Sequence, residues 1–316
     1  MTEEKRIYDC VIVGSGPASY ASMMYLIEKD IDNIVMYAGD FYDSIGPGGQ
    51  LTTTTNVDNY PGFRDGIQGP DLMDNMNETV VKRKKEVLEV FVKDIKKLDN
   101  NLFMIKPEEG EIVYSRTVII GTGSSAKKLH VEGTDKYWQK GISACAVCDG
   151  FIFKDGICAV IGGGDTAMEE ILHLSGICKK LYLIHRRETF RARADKLEEV
   201  KNTENIEVIT NAELKECKGD DDSLKEIILK TDKGEMKLDV DGLFFAIGHL
   251  PNTASIKNCN VKLHDNGYIK TDNLMRTGEE GLFACGDVQD FVYRQAIVAS
   301  ESGIVAAIEV IKTLNK

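Results

Sequence analysis

The sequence predicts an α/β protein made of two similar parallel-sheet units, one inserted in the other. Three observations carry that expectation. A β-rich run, Asp9-Cys-Val-Ile-Val, breaks into Gly14-Ser-Gly-Pro-Ala and leads into an unbroken helix-like stretch. The same order recurs at Ile157-Cys-Ala-Val-Ile-Gly-Gly-Gly-Asp-Thr-Ala. Two further apolar runs, Thr117-Val-Ile-Ile-Gly-Thr-Gly and Leu243-Phe-Phe-Ala-Ile-Gly, each end in glycine. Strand, glycine turn, helix and strand make the parallel α/β unit. Right-handed crossovers then put each glycine turn at the carboxyl edge of its own sheet.

Taken in order, the first unit reads as strand, helix over Ala18–Lys29 and a second strand over Asn33–Tyr37. Asp71 to Leu98 reads as a helix followed by a strand, with Lys82-Arg-Lys-Lys as a solvated helix face. The two glycine-ended apolar strands are taken as exit from and re-entry to the first domain. Residues 1–120 and 248–316 then form one domain, and residues 121–247 the other. After the second glycine turn come a helix and the strand Lys180-Leu-Tyr-Leu-Ile-His. Glu207 to Val240 alternates like β-hairpins, with turns at Gly219-Asp-Asp-Asp-Ser and Asp232-Lys-Gly.

Composition narrows the function. A chain of 316 residues, 42% hydrophobic and 28% charged, suits two globular domains and excludes disorder or a collagen-like repeat. No apolar run approaches the roughly 18 residues that span a bilayer. The charged start, Met1-Thr-Glu-Glu-Lys-Arg, lacks a signal core, so a cytoplasmic location is expected. The net charge of −12 argues against nucleic acid or an anionic membrane as partner.

The glycine turns fit the dinucleotide fingerprint. In Gly14-x-Gly16-x-x-Ser19, Gly14 permits the tight turn and Gly16 lets a pyrophosphate approach the positive helix end. Ser19 stands where Gly or Ala is usual. The second strand ends Tyr37-Ala38-Gly39, so the ribose-binding acid is missing there and Asp40 is the nearest carboxylate. The second copy, Gly162-x-Gly164-x-x-Ala167, is regular, and its second strand ends His185-Arg186-Arg187 with Arg191 beyond. Guanidinium groups at that position favour a 2′-phosphate, so NADPH is expected over NADH. Two Rossmann-like dinucleotide sites in one chain suggest a flavin at one and a nicotinamide at the other.

Of eight cysteines, Cys10, Cys158, Cys178, Cys259 and Cys285 are expected to be structural, and Cys217, in a polar stretch, could be exposed. Cys145 and Cys148 form the one Cys-x-x-Cys, followed by Asp149. Half a zinc site is the competing reading, and no second pair completes it. A redox dithiol fits better: one sulfur attacks, the other resolves the mixed disulfide, and Asp149 serves the leaving thiolate.

Seven motifs in order then resemble low-molecular-weight thioredoxin reductase over almost the whole length. They are Gly14-Ser-Gly-Pro-Ala, Gly48-Gly-Gln-Leu-Thr-Thr-Thr-Thr-Asn56, Ser143-Ala-Cys-Ala-Val-Cys-Asp-Gly and Gly162-Gly-Gly-Asp-Thr-Ala-Met-Glu-Glu. His185-Arg-Arg-Glu-Thr-Phe-Arg191, Gly248-His-Leu-Pro-Asn252 and Gly286-Asp-Val-Gln-Asp-Phe-Val-Tyr-Arg-Gln-Ala296 complete the set. The resemblance implies an NADPH domain inserted in an FAD domain. It implies that Gly14, Gly16, Pro17 and Ala18 hold the FAD pyrophosphate, and that Gln50, Leu51 and Asn56 line the flavin. Gly286 and Asp287 are implied at the ribityl or phosphate region, and Arg294, Gln295 and Ala296 against the isoalloxazine, Ala296 opening a helix. Gly162, Gly164, Asp165, Thr166 and His185 are implied at the nicotinamide dinucleotide, with Arg186, Arg187 and Arg191 on its 2′-phosphate. Cys145 and Cys148 are the implied redox-active disulfide, Cys148 nearer the flavin, and Asp149 the acid. Thioredoxin is the implied partner, and a homodimer the implied assembly. Ser19 and Ala38 depart from the family pattern and bear on how FAD is held, and the loop Asp40–Pro47 is of the longer type. The implied cycle needs rotation of the inserted domain, because nicotinamide and disulfide must both reach one flavin; the glycine-containing connections near 117–123 and 245–250 are the expected hinges. A same-fold reductase of a small dithiol or a peroxidase partner stays open, as does a zinc-stapled binding protein without catalysis.

Overall fold

A computed structural model describes residues 6–40, 46–54 and 56–316. It divides into two compact units, Met1–Ser125 with Leu250–Lys316, and Ala126–His249. The first unit opens with β1 (Ile7–Val13), α1 (Pro17–Glu28) and β2 (Ile34–Tyr37). A short antiparallel pair, β3 (Asn56–Val57) and β4 (Ile67–Gln68), leads into α2 (Gly69–Val81). Strands β5 (Glu86–Leu88), β6 (Val92–Lys97), β7 (Phe103–Pro107) and β8 (Val113–Ile120) follow.

The chain then leaves through β9 (Ser124–Ala126). In the second unit come α3 (Thr134–Tyr137), β10 (Ile142–Ser143), α4 (Ala146–Asp149), β11 (Ile157–Gly162), α5 (Asp165–Ser175) and β12 (Lys180–Ile184). Helix α6 (Ala194–Asn202) and β13 (Ile206–Ile209) precede a three-stranded antiparallel sheet of β14 (Ala212–Gly219), β15 (Leu224–Thr231) and β16 (Gly234–Asp239). After β17 (Gly242–Ala246) the chain returns through β18 (His249–Pro251), which pairs with β9. Strand β19 (Leu282–Ala284) and α7 (Ala296–Leu314) close the first unit.

The first sheet runs β5-β2-β1-β8-β7-β6, with β19 also on β8. One edge of β8 serves two partners: Val113–Ser115 pair with antiparallel β7, and Val118–Ile120 with parallel β19. Alternate residues feed the two faces. Cys10, Ile12, Met36 and Ile119 pack under α1, α2 and α7, whereas Val11, Val13, Val35, Val118 and Ile120 enter the core on the other side. Both faces are therefore covered, which is why these strands read as unbroken apolar runs. The second unit repeats the logic in the parallel order β10-β17-β11-β12-β13. Val160 and Phe244 pack on Met168 and Ile171 of α5, while Ala159 and Phe245 face the core shared with β14 and β15.

Three local expectations are corrected. Lys82-Arg-Lys-Lys is the turn after α2 rather than a helix face: Lys84 has φ +55°, and Lys82, Arg83 and Lys85 pair with Glu78, Glu28 and Asp32. Cys217 is buried at 3% exposure, because β14 turns it toward Leu214, Ile227 and Leu229. Residues 117–120 and 245–246 lie inside β8 and β17, so strand pairing holds that part of the expected hinges. In the expected loop Asp40–Pro47, residues 41–45 lie outside the described residues, as does Thr55 of the threonine run.

Candidate active site

Each unit carries one glycine cradle, and the second unit also carries the disulfide. In the first cradle Gly14 follows β1 with φ +110°, donates its N–H to Tyr37 O at 2.8 Å, and leaves no room for a side chain. A Cβ there would lie 2.3 Å from Gly121 O. Gly16 is the N-cap of α1, and nothing stands within 4 Å of where its Cβ would be. Pro17 occupies the first turn, Ala18 is buried beneath it, and neither a side-chain cap nor an acidic residue uses up the helix end. Open space in front of free N–H groups at a positive helix end fits a pyrophosphate. Ser19, fully buried, is accommodated by donating its hydroxyl to Gly121 O at 3.3 Å.

The remaining expected flavin residues gather on the same unit. Gly286 has φ +68°, and a Cβ on it would lie 2.9 Å from Ala18 Cβ, so this glycine seats Asp287 beside the first turn of α1. Burial pushes the Asp287 carboxyl up to about 7, the Asp290 charge adding and Arg294 opposing. Arg294, at φ +49°, donates its N–H to Asp290 Oδ2 at 3.0 Å. Gln295 caps α7, its Oε1 accepting from Asn59 Nδ2 at 2.9 Å, and Ala296 opens the helix. Gln50 and Leu51 lie in a 3₁₀ turn, Gly49–Thr53, where Gln50 Nε2 donates to Ser124 O. Asn56 lies in β3, and its side chain lies outside the described residues. One contributor escaped the sequence reading. The buried Ser15 hydroxyl donates to Ala38 O at 2.7 Å and accepts from Gly48 N at 2.8 Å, tying the glycine turn to the end of β2 and to the Gln50 turn.

The second cradle repeats the first. A Cβ at Gly162 would lie 2.5 Å from Ala246 O, while Gly164, N-cap of α5, faces open space. Asp165 and Thr166 form the first turn of α5. Asp165 Oδ1 is turned to Arg193, accepting its backbone N–H at 2.8 Å. His185 stacks on Phe190 with ring centroids 4.7 Å apart, and burial, with the neighbouring arginine charges, holds its pKa below the usual histidine value. Arg186, Arg187 and Arg191 are exposed, and no salt bridge among the described residues engages them.

Cys145 and Cys148 are joined in a disulfide, with Cα atoms 5.3 Å apart. Cys145 caps α4, and its Sγ accepts the Cys148 N–H at 3.2 Å. Asp149 is 5% exposed. Ser143 donates its hydroxyl to Asp149 Oδ2 at 2.5 Å and accepts from Cys145 N at 3.1 Å, joining the carboxylate to the disulfide turn. Ser143 opens the cysteine motif, but no role was assigned to it there, so this link was not foreseen. Both sulfur-bearing residues are half-buried, whereas Cys10, Cys217 and Cys285 are buried and Cys259 half-buried. Burial pushes those four thiols up to about 12, leaving them protonated and inert as nucleophiles. Cys158 is raised too, first by a hydrogen bond with Cys178 and then by burial. Among the described residues no group of three or more His, Cys, Asp or Glu side chains is placed to hold a metal ion, and no helix is long and apolar enough to cross a membrane.

Comparison with known proteins shows the family. The pyridine nucleotide-disulphide oxidoreductase family matches residues 8–303. The chain is 40% identical over 316 residues to the thioredoxin reductase of Debaryomyces hansenii, covering 98% of each chain. It is 42% identical over 311 residues to thioredoxin reductase 1 of Saccharomyces cerevisiae, covering 96% of this chain and 97% of that one. Among solved structures, the thioredoxin reductase of Giardia duodenalis superposes with TM-score 0.88 at 34% identity, covering 99% of this chain and 100% of that one. That of Streptococcus pyogenes gives 0.88 at 31%, covering 99% of each. With such identity over nearly the whole of both chains, the chain belongs to the pyridine nucleotide-disulphide oxidoreductases and, among them, to the thioredoxin reductases.

Proposed function

We propose that the chain is a flavoprotein thioredoxin reductase that passes electrons from NADPH to FAD, to the Cys145–Cys148 disulfide and on to the disulfide of thioredoxin. Membership of the family brings a flavin and a pyridine nucleotide; FAD and NADPH are the particular pair proposed here. The observation that carries the reading is the disulfide itself, the one pair bonded among the described cysteines, seated over a buried carboxylate in a chain with two open dinucleotide cradles.

The chain's residues divide the work. Gly14 to Ala18, with Gly286 and Asp287, hold FAD on Met1–Ser125 and Leu250–Lys316, and Gln50, Leu51, Asn56, Arg294, Gln295 and Ala296 line its ring. Gly162, Gly164, Asp165, Thr166 and His185 form the NADPH turn, and Arg186, Arg187 and Arg191 take its 2′-phosphate. Once the pair is reduced, one thiolate attacks a sulfur of the partner disulfide, forming a mixed disulfide and releasing one partner thiolate. The second thiolate then displaces the other partner sulfur, so the pair is reoxidised and the partner gains two electrons and two protons. Asp149, held by the Ser143 hydroxyl, protonates the leaving thiolate. Cys148 is the sulfur assigned to the flavin side.

The dithiol and the nicotinamide cradle belong to one unit and must serve one flavin in turn, so the unit Ala126–His249 rotates between half-reactions. A cytoplasmic homodimer completes the reading. Its support in the chain is an apolar groove of about 580 Å³ lined by Met24, Tyr25, Met76, Ile297, Ile304 and Val305, a face that suits a second copy. Anaerobic titration with NADPH, followed by reoxidation with a thioredoxin, tests the proposal. Flavin absorbance should bleach and then recover only with the disulfide substrate. Cys148→Ser should keep flavin bleaching and lose thioredoxin turnover by at least about 10³-fold; full turnover in that variant would refute the assignment.

A further inference from the structure

The segment 185–193 follows β12 without regular secondary structure and carries Arg186, Arg187, Arg191 and Arg193, all exposed. Left alone, such a segment is costly to order, because each backbone residue fixed loses conformational entropy. Here its backbone is already tied down at three places. Arg191 and Ala192 donate their N–H groups to Gly163 O at 2.8 and 3.2 Å. Arg193 N donates to Asp165 Oδ1 at 2.8 Å. In the middle, His185 Nε2 lies 3.2 Å from Thr189 O, and its ring stacks on Phe190. Phe190 packs on the core beneath α5. The His185 ring in turn rests on the glycine turn, since a Cβ at Gly163 would come within 2.2 Å of it.

Charge sharpens the point. A carboxylate in the first turn of α5 would repel a phosphate bound at that helix end. Asp165 instead accepts a backbone N–H of the arginine segment. Arg193 is taken up by Asp195, through Nε at 3.2 Å and Nη2 at 2.6 Å. Arg186, Arg187 and Arg191 remain for a ligand.

We propose that Asp165 and Phe190 are positioning residues that set the second site's preference for a 2′-phosphorylated dinucleotide, by holding the arginine segment against the glycine turn before the ligand arrives. The inference rests on the NADPH reading of this site. Its physical basis is preorganisation: a guanidinium cluster whose backbone is already fixed loses less entropy on binding a phosphate.

Calorimetric titration of the full chain with 2′,5′-ADP and with 5′-AMP tests it without redox chemistry. Phe190→Leu should weaken 2′,5′-ADP about tenfold while leaving 5′-AMP within about twofold, and Asp165→Ala should weaken 2′,5′-ADP about tenfold and by more than it changes 5′-AMP, the scale of one lost hydrogen bond or stacking contact. Asp165→Asn keeps an Oδ1 acceptor and should bind 2′,5′-ADP at least as tightly as the parent chain. If Asp165→Ala binds 2′,5′-ADP as well as or better than the parent, as charge removal alone dictates, the proposal is overturned. Equal weakening of both ligands overturns it too, because the residues then support the whole site. A parent chain that does not distinguish the two ligands refutes the NADPH reading, and the proposal with it.

Discussion

Asp287 shows how folding changes the chemistry of a single side chain. Its carboxyl is raised from the ordinary 3.8 to about 7, with burial the main cause. In the flavin-free chain the folded state keeps this proton between about pH 4 and 7, whereas the unfolded chain loses it. Stability from this group therefore falls as pH rises through that window and levels off above pH 7. Asp287→Asn should remove the slope and stabilise the flavin-free protein at pH 8 by on the order of 2 kcal/mol, read as a higher melting temperature. A parent protein whose melting temperature rises steadily from pH 5 to 7, with no difference in the variant, would contradict this. The sequence named Asp287 through its motif, but its unusual acidity depends on what surrounds it. Ser143 and Ser15 were illegible for the same reason: each is an unremarkable serine until folding brings a carboxylate or a distant backbone group to its hydroxyl.

Among the elements, the packing of α7 on α1 positions the first cradle. A Cβ on Gly303 would lie 2.1 Å from Ala18 O, and the Ser22 hydroxyl, 2.7 Å from Ala18 O and 3.0 Å from Gly303 O, shares its proton across the contact. Gly303→Ala must push α7 away from the turn that carries Gly16. The expected cost is about 1–3 kcal/mol. Differential scanning calorimetry should show a lower melting temperature, and the purified variant should retain less flavin than the parent. Unchanged flavin content and stability would show that the contact can relax. The helices and strands themselves were legible, since parallel strands covered on both faces are apolar throughout and each glycine turn announces the helix after it. The end of α2 was not. Lys82-Arg-Lys-Lys has good helix-forming composition, yet Arg83 and Lys85 leave the helix to pair with Glu28 and Asp32, residues far away in the chain.

For the whole molecule, the testable consequence is alternation. A disulfide or bifunctional crosslink introduced between the unit Ala126–His249 and the rest of the chain should abolish thioredoxin turnover while leaving each dinucleotide able to bind. Turnover preserved in a fully crosslinked sample would eliminate the rotation. The units join within the short strands β9 and β18, at Ser125–Ala126 and His249–Leu250, so the proposed rotation requires backbone change at or beside these strands, β8 and β17 being held in their sheets.

The amino-acid sequence by itself determined the two glycine turns, the sheets they belong to, the cysteine pair and the order of the family motifs, because each is a local pattern of residue types at fixed spacing. Tertiary structure decided what those patterns meet. It buried Cys217, turned Asp165 from the helix end toward Arg193 N, placed Ser143 between Asp149 and Cys145, and set Phe190 beneath the arginine segment. These are contacts between residues that chain spacing does not pair, and burial and hydrogen-bond partners exist only once the chain has folded.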